Sequence, residues 1–178
     1  GRVVDTATLS RNSTVMAFIG VKARSLAQLP INVMYRQPDG TYVDALSSDS
    51  VGKRDKEKAR QVLNVLTAPN NFQSQYEFWY QWSMWQDLTG ETFTLLWRKD
   101  QTNSLQTPIE MYNLDSTLIT ARLTETRYPA YQLSTSSYGF NKDTPLEYFQ
   151  VMHIKEAAWQ GSACLLYTSD AADDTPCV

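Results

Sequence analysis

Ser74-Gln75-Tyr76-Glu77-Phe78-Trp79-Tyr80-Gln81-Trp82-Ser83-Met84-Trp85-Gln86-Asp87-Leu88-Thr89-Gly90-Glu91-Thr92-Phe93-Thr94-Leu95-Leu96-Trp97-Arg98 is the stretch that decides the fold. Its first half reads as a helix. Ser74 and Glu77 have the spacing of a capping box, in which the serine oxygen accepts a first-turn amide and the glutamate reaches back to the cap. Gly90 supplies the residue that can take a left-handed conformation after the last turn. Beyond it Thr, Phe, Leu and Trp give the composition of a strand rather than a helix. Phe78, Trp82, Trp85 and Leu88 fall on one broad side of the helix, while Tyr76, Trp79 and Tyr80 fall nearly opposite. A helix apolar on two sides is either central in its own domain or shared with a partner. In the second case Tyr76, Trp79 and Tyr80 are the candidate subunit-interface residues, and part of each is expected to be exposed in the single chain.

Upstream, residues 1–12 read as an N-terminal arm. From Ser13 a helical stripe runs through Val15, Ile19, Ala23 and Leu26, flanked by Met16, Phe18 and Leu29, with Asn12 or Ser13 as cap and Pro30 as stop. Ile31 to Arg36 alternates with period two, Pro38-Asp39-Gly40 turns the chain, and Thr41-Tyr42-Val43 can return as a hairpin. A second amphipathic helix follows from Asp55, with Ala59, Val62, Leu63 and Leu66 on one face, until Pro69-Asn70-Asn71 breaks it. Downstream, Ile109–Leu114, Thr117–Leu123, Tyr131–Ser134 and Pro145–Ile154 are short strand-like runs, and Thr135–Thr144 is a hairpin loop. The order is α-β-β-α-α and then a β-meander, which predicts an α+β fold.

The whole chain has 178 residues, 42% hydrophobic and 20% charged, with 16 Lys and Arg against 19 Asp and Glu. That suits one domain with a real core. A net charge of −3 excludes a strongly basic duplex binder, since such binding draws on many phosphate contacts. No run approaches the roughly 20 apolar residues of a membrane span, and no signal-peptide pattern opens the chain. Starting at Gly1 rather than Met reads as a processed, cloned or truncated start.

Both cysteines, Cys164 and Cys177, fall in the last fifteen residues. Cys164 to Asp173 continues no upstream pattern and reads as translated sequencing-adapter sequence, so residues 164–178 are expected to be an adapter-derived or disordered tail. Without the last fifteen residues the chain loses both cysteines and three aspartates, and its sixteen acids balance its sixteen bases.

The sequence is poor in catalytic material. His153 is the only histidine and sits in the apolar run Phe149–Ile154, where a structural role is expected. No phosphate loop, dinucleotide fingerprint or nucleophile elbow occurs. Asp143 and Glu147 read as solvated surface, and Lys53 to Lys58 as a helix start whose opposite charges cancel. No catalytic, cofactor-binding or metal-binding residue is assigned, and no enzyme activity or cofactor is expected. A non-catalytic α+β binding or adaptor module is the alternative to the reading that follows, and an enzyme using His153 as base ranks last.

The chain resembles the phage portal protein family, in the branch of the long-tailed bacteriophages. The resemblance is carried by Ser13, Ala17, Ile19 and Leu26-Ala27 running into Leu29-Pro30-Ile31-Asn32-Val33-Met34-Tyr35, then Leu66-Thr67-Ala68-Pro69-Asn70 and Tyr76-Glu77-Phe78. Leu88-Thr89-Gly90-Glu91-Thr92-Phe93, Pro108 to Asp115 and Val151-Met152-His153-Ile154-Lys155 complete it. Glu91-Thr92 stands where the family usually has Asn-Ala. The resemblance spans Thr8 to Ser162 and implies that residues 13–163 are a wing-like α+β domain, cut before the stem, clip and channel loop. It further implies a homo-oligomeric ring, dodecameric in particles, at one capsid vertex of the virion and assembled in the host bacterial cytoplasm. Double-stranded DNA would pass through that ring without sequence-specific binding, and terminase, capsid and neck proteins would dock on it, with no membrane. A ring needs head-to-tail contacts that close, and the two-sided aromatic helix is a candidate for one.

Overall fold

The computed structural model describes residues 10–123, 128–134 and 145–155. The first nine residues of the expected arm, the loop Thr135–Thr144 with Asp143, and the tail with both cysteines lie outside the described residues.

Three helices form where local chemistry starts and stops them. Helix α1, Ser13–Ala27, is capped by Asn12, whose Oδ1 accepts from the amides of Thr14 and Val15 at 3.1 and 3.2 Å. Strands β1 (Met34–Arg36) and β2 (Tyr42–Asp44) then pair antiparallel around Pro38-Asp39-Gly40, with Tyr35 opposite Val43. Gly40 takes φ +87°, and Asp39 accepts the Thr41 amide at 2.9 Å. Helix α2, Lys53–Thr67, starts two residues before Asp55. Gly52 is its cap residue, so the first turn begins inside the charged run.

Helix α3, Gln75–Thr89, has both arms of the capping box: Ser74 Oγ accepts from the Glu77 amide, and Glu77 Oε2 accepts from the Ser74 amide at 2.8 Å. It ends at Gly90, φ +77°, whose amide donates to the Gln86 carbonyl at 2.9 Å. A Cβ placed on Gly90 would meet nothing within 4 Å. Gly90→Ala should therefore lose only backbone strain, about 1–2 kcal/mol, read as a shift in denaturation midpoint with an unchanged m-value.

Strands β3 (Glu91–Trp97), β4 (Glu110–Leu114) and β7 (Val151–Lys155) make one antiparallel sheet in the order β4-β3-β7, and β5 (Ile119–Leu123) and β6 (Pro129–Leu133) pair separately. The α+β class is as the sequence predicts, but the order is not that of a simple meander. After the β5-β6 hairpin the chain returns to the far side of β3, placing Phe93 opposite His153 and Leu95 opposite Val151. A three-stranded sheet centred on β3 is the result, because β3 is the strand with apolar or small residues on both faces.

Those faces hold separate cores. Phe93 and Leu95 pack with Leu114, Ile119, Tyr131, Leu133, Leu146 and Val151 on one side. On the other, Met111 and Leu96 meet Phe78 of α3 and Val65 of α2. Between helix and sheet, Thr94 Oγ1 donates to Asn113 Oδ1 at 3.2 Å, and Asn113 Nδ2 donates to the Phe78 carbonyl at 2.9 Å. Two buried polar side chains are thus satisfied and fix the docking of α3.

Candidate functional site

Helix α3 lies between α1 and the sheet, which is why it needs apolar residues on two sides. Tyr76 and Tyr80 stack at 5.9 Å and 19° on the side near α1. Gly20 of α1 lies beside them: a Cβ on it would be in ordinary van der Waals contact with the Tyr80 hydroxyl, at 3.7 Å. Trp79 turns instead toward α2, donating Nε1 to the Leu66 carbonyl at 3.0 Å and meeting Phe78 edge-on at 5.1 Å. With Leu26, Leu29, Ile31 and Leu66 it lines a small apolar cavity of about 270 Å³. The three candidate interface residues are therefore not one patch. Tyr76 is 38% exposed, while Trp79 and Tyr80 are half-buried.

More exposed apolar side chains lie elsewhere. Phe18 and Val21 on the outer side of α1 are 78% and 57% exposed, and Phe72 is 84% exposed beside a groove also lined by Trp97, Glu110 and Tyr112. Neither surface was assigned from sequence. The available signal was weak: Phe18 and Val21 stand three apart on the face opposite Ile19 and Ala23, and Phe72 is an aromatic residue inside a polar turn.

His153 is held structurally. Its Nε2 lies 3.1 Å from Glu91 Oε2, its ring stacks on Phe93 at 4.2 Å, and Tyr131 closes edge-on at 5.6 Å. The hydrogen bond from His153 holds the Glu91 carboxyl below its ordinary value, outweighing the opposing effect of burial, and the charges of His153 and Lys155 act in the same direction. The native state thus binds this proton less tightly than the unfolded chain. Its stabilisation is present above the ordinary glutamate value of 4.5 and lost as pH falls through the depressed native value. Glu91→Gln should therefore be less stable than the parent at pH 6, with the difference shrinking below pH about 4; denaturation curves across that range measure it, and a gap that widens on acidification would contradict it.

Among the described residues no three His, Cys, Asp or Glu side chains gather into a metal-binding group, and no helix is long and apolar enough to cross a membrane.

Solved structures of similar fold come from particles. One, from the virion of a native gene transfer agent particle, is 16% identical with a TM-score of 0.58, over 87% of this chain and 36% of that one. A second, from the neck of an empty gene transfer agent particle computed with C6 symmetry, is 16% identical with a TM-score of 0.60, over 87% and 38%. A third, from the neck of the native particle computed with C12 symmetry, is 15% identical with a TM-score of 0.53, over 83% and 32%. At these identities the likeness is one of fold, and the chain spans under two fifths of each of those chains. The chain belongs to the phage portal protein family, which matches it over residues 13–175. No curated protein sequence matches it.

Proposed function

We propose that this chain is the wing-like part of a portal subunit, with residues 13–163 as its domain, working in a ring at one vertex of a phage capsid. The observation that carries the reading is the family match over nearly the whole described chain, with the same helix-then-sheet fold as chains from particle necks. In this reading double-stranded DNA enters and leaves through the ring, and terminase, capsid and neck proteins dock on it. Tyr76, Trp79 and Tyr80 then belong to a helix near the contact between identical subunits. The subunit has no catalysis of its own and assembles in the bacterial cytoplasm before joining the virion.

Physical chemistry supports a conduit. DNA must slide, so a wall of clustered Lys and Arg that clamps phosphates would hinder it. In this chain the densest basic run, Lys53 to Lys58, is interrupted by Asp55 and Glu57. The test is electron microscopy and mass measurement of the full-length subunit. Head-to-tail contacts that close are expected to give rings, of about twelve copies if the subunit follows the C12 symmetry of the native particle's neck. A subunit that stays monomeric at every concentration, or that builds open filaments alone, would overturn the reading.

A further inference from the structure

We propose that the outer face of α1 on one copy of this chain packs over the outer face of the β1-β2 hairpin on the next copy, joining Phe18 and Val21 to Met34 and Tyr42. This rests on the ring reading and names the surfaces that close the ring.

The hairpin is a sheet of only two strands, with no third strand on either edge among the described residues. Its register puts Met34 opposite Asp44, Tyr35 opposite Val43 and Arg36 opposite Tyr42. Successive side chains alternate between faces, so Tyr35 and Val43 share one face, and Met34, Arg36, Tyr42 and Asp44 share the other. The first face is half-buried. On the second, Met34 is 49% and Tyr42 64% exposed, and neither side chain makes a hydrogen bond or ring contact among the described residues. A two-stranded hairpin is marginal in water unless a further strand or a helix packs against it. This face therefore calls for a helix that its own chain does not supply.

Helix α1 has the complementary shape. It buries Ile19, Gly20, Ala23 and Ala27 on the side that meets α3. Its opposite side carries Phe18 and Val21, 78% and 57% exposed, with the small exposed residues Thr14, Ala17 and Ser25 around them. A surface helix ordinarily gives that side to charged residues. Both the helix face and the hairpin face stay exposed within one chain, so α1 does not cover its own hairpin. The contact that buries them is one between copies.

Charge selects the pairing. From Arg11 to Ala27 the chain carries Arg11, Lys22 and Arg24 and no acid, whereas from Met34 to Ser50 the three aspartates Asp39, Asp44 and Asp49 stand against Arg36 alone. Lys22 is taken up by Asp87, but Arg24 makes no ion pair among the described residues, and Asp49 accepts no hydrogen bond among them. Asp39 and Asp44 hold local turns through the amides of Thr41, Leu46 and Ser47 and act here through their charge. Opposite potentials on two faces steer and orient their encounter. Duplex DNA would meet the same cations of α1 but would set the exposed Phe18 against phosphates, where burial of apolar surface gains nothing. A closed head-to-tail ring requires two different patches of one subunit that match each other, and these two match in both apolarity and charge.

The test uses the full-length subunit, with mass measured across a concentration series and circular dichroism to verify folding. Phe18→Ser and Tyr42→Ser each remove an exposed anchor and should weaken assembly at least about tenfold. Arg24→Glu should weaken it about threefold at low salt, and Asp49→Lys in the same chain should restore most of that loss. Oxidation reads the geometry. Subunits carrying Val21→Cys mixed with subunits carrying Met34→Cys should give covalent dimers, and one chain carrying both should give a ladder of multimers beyond anything the parent chain gives. Anchor variants that assemble like the parent, an Asp49→Lys change that restores nothing, or no cross-link would each overturn the contact. A double-cysteine chain that stops at dimers would show two copies pairing reciprocally and overturn it as well. If the unmodified subunit never assembles, the ring reading itself fails; if rings form and ignore these variants, only this contact does. Normal rings from the Arg24→Glu variant, together with loss of binding to a short DNA duplex, would assign α1 to DNA and overturn the proposal.

Discussion

Phe78→Ala should cost about 3–5 kcal/mol of folding stability, a large part of the roughly 5–15 kcal/mol a domain of this size commands. Phe78 is 0% exposed and sits where α3, α2 and the sheet converge, against Val65 and Met111. Truncation removes the transfer free energy of a ring and leaves a cavity. The walls of that cavity cannot easily collapse. Trp79 is fixed by its bond to the Leu66 carbonyl, and Asn113 is fixed between the Phe78 carbonyl and Thr94. Phe78→Leu keeps most of the apolar volume and should lose far less, about 1–1.5 kcal/mol. Urea denaturation of both variants measures the difference, and an alanine variant within 1 kcal/mol of the parent would show that this junction is not the hinge of the fold.

Elements with local chemistry were legible in the sequence. The Ser74-Glu77 pair, Gly90 and the hairpin turn at Pro38-Asp39-Gly40 each act within four residues, so spacing alone exposes them. The sheet order was not legible, because β7 joins β3 over some sixty intervening residues and neither strand's pattern names its neighbour. The same distance hid the partner of His153. Its structural character followed from its apolar run, whereas Glu91, which reads only as a departure from the usual Asn-Ala, proves to be the group that holds it. The aromatic count of α3 correctly suggested two packed sides, one toward α1 and one toward the sheet, but Trp79 was grouped with the tyrosines on angle alone. The actual direction of its ring is set by a hydrogen bond to a different helix. The exposure of Phe18 and Val21 on α1 was hidden for a different reason: apolar residues on a helix do not say which of two faces the rest of the chain will cover.

Replacing Arg98 with methionine should be the other severe change, costing about 3 kcal/mol from the loss of charge-assisted hydrogen bonds and the carbonyls left without donors. Arg98 is only 6% exposed, and no acidic side chain among the described residues pairs with it. Its charge is met by backbone oxygens instead. Nε donates to the Gln106 carbonyl at 2.8 Å, and Nη1 donates to the Phe149 carbonyl at 2.7 Å. Burial accordingly pulls its pKa down from the ordinary arginine value. The guanidinium stands 5.9 Å from the centroid of the Phe149 ring, so stacking contributes as well. One rigid fork thus ties the long β3-β4 connection to the turn that precedes β7, two segments far apart in sequence. Methionine retains much of the stem's packing but supplies no donor to either carbonyl. Lysine keeps the charge, yet its compact ammonium lacks the planar fork that reaches both oxygens, so Arg98→Lys should recover only part of the loss. Hydrogen exchange distinguishes this from general destabilisation: protection should fall first around residues 99–108 and 147–150, while α1 and α3 stay protected. Equal loss throughout the chain would show that the arginine supports the core as a whole rather than this junction.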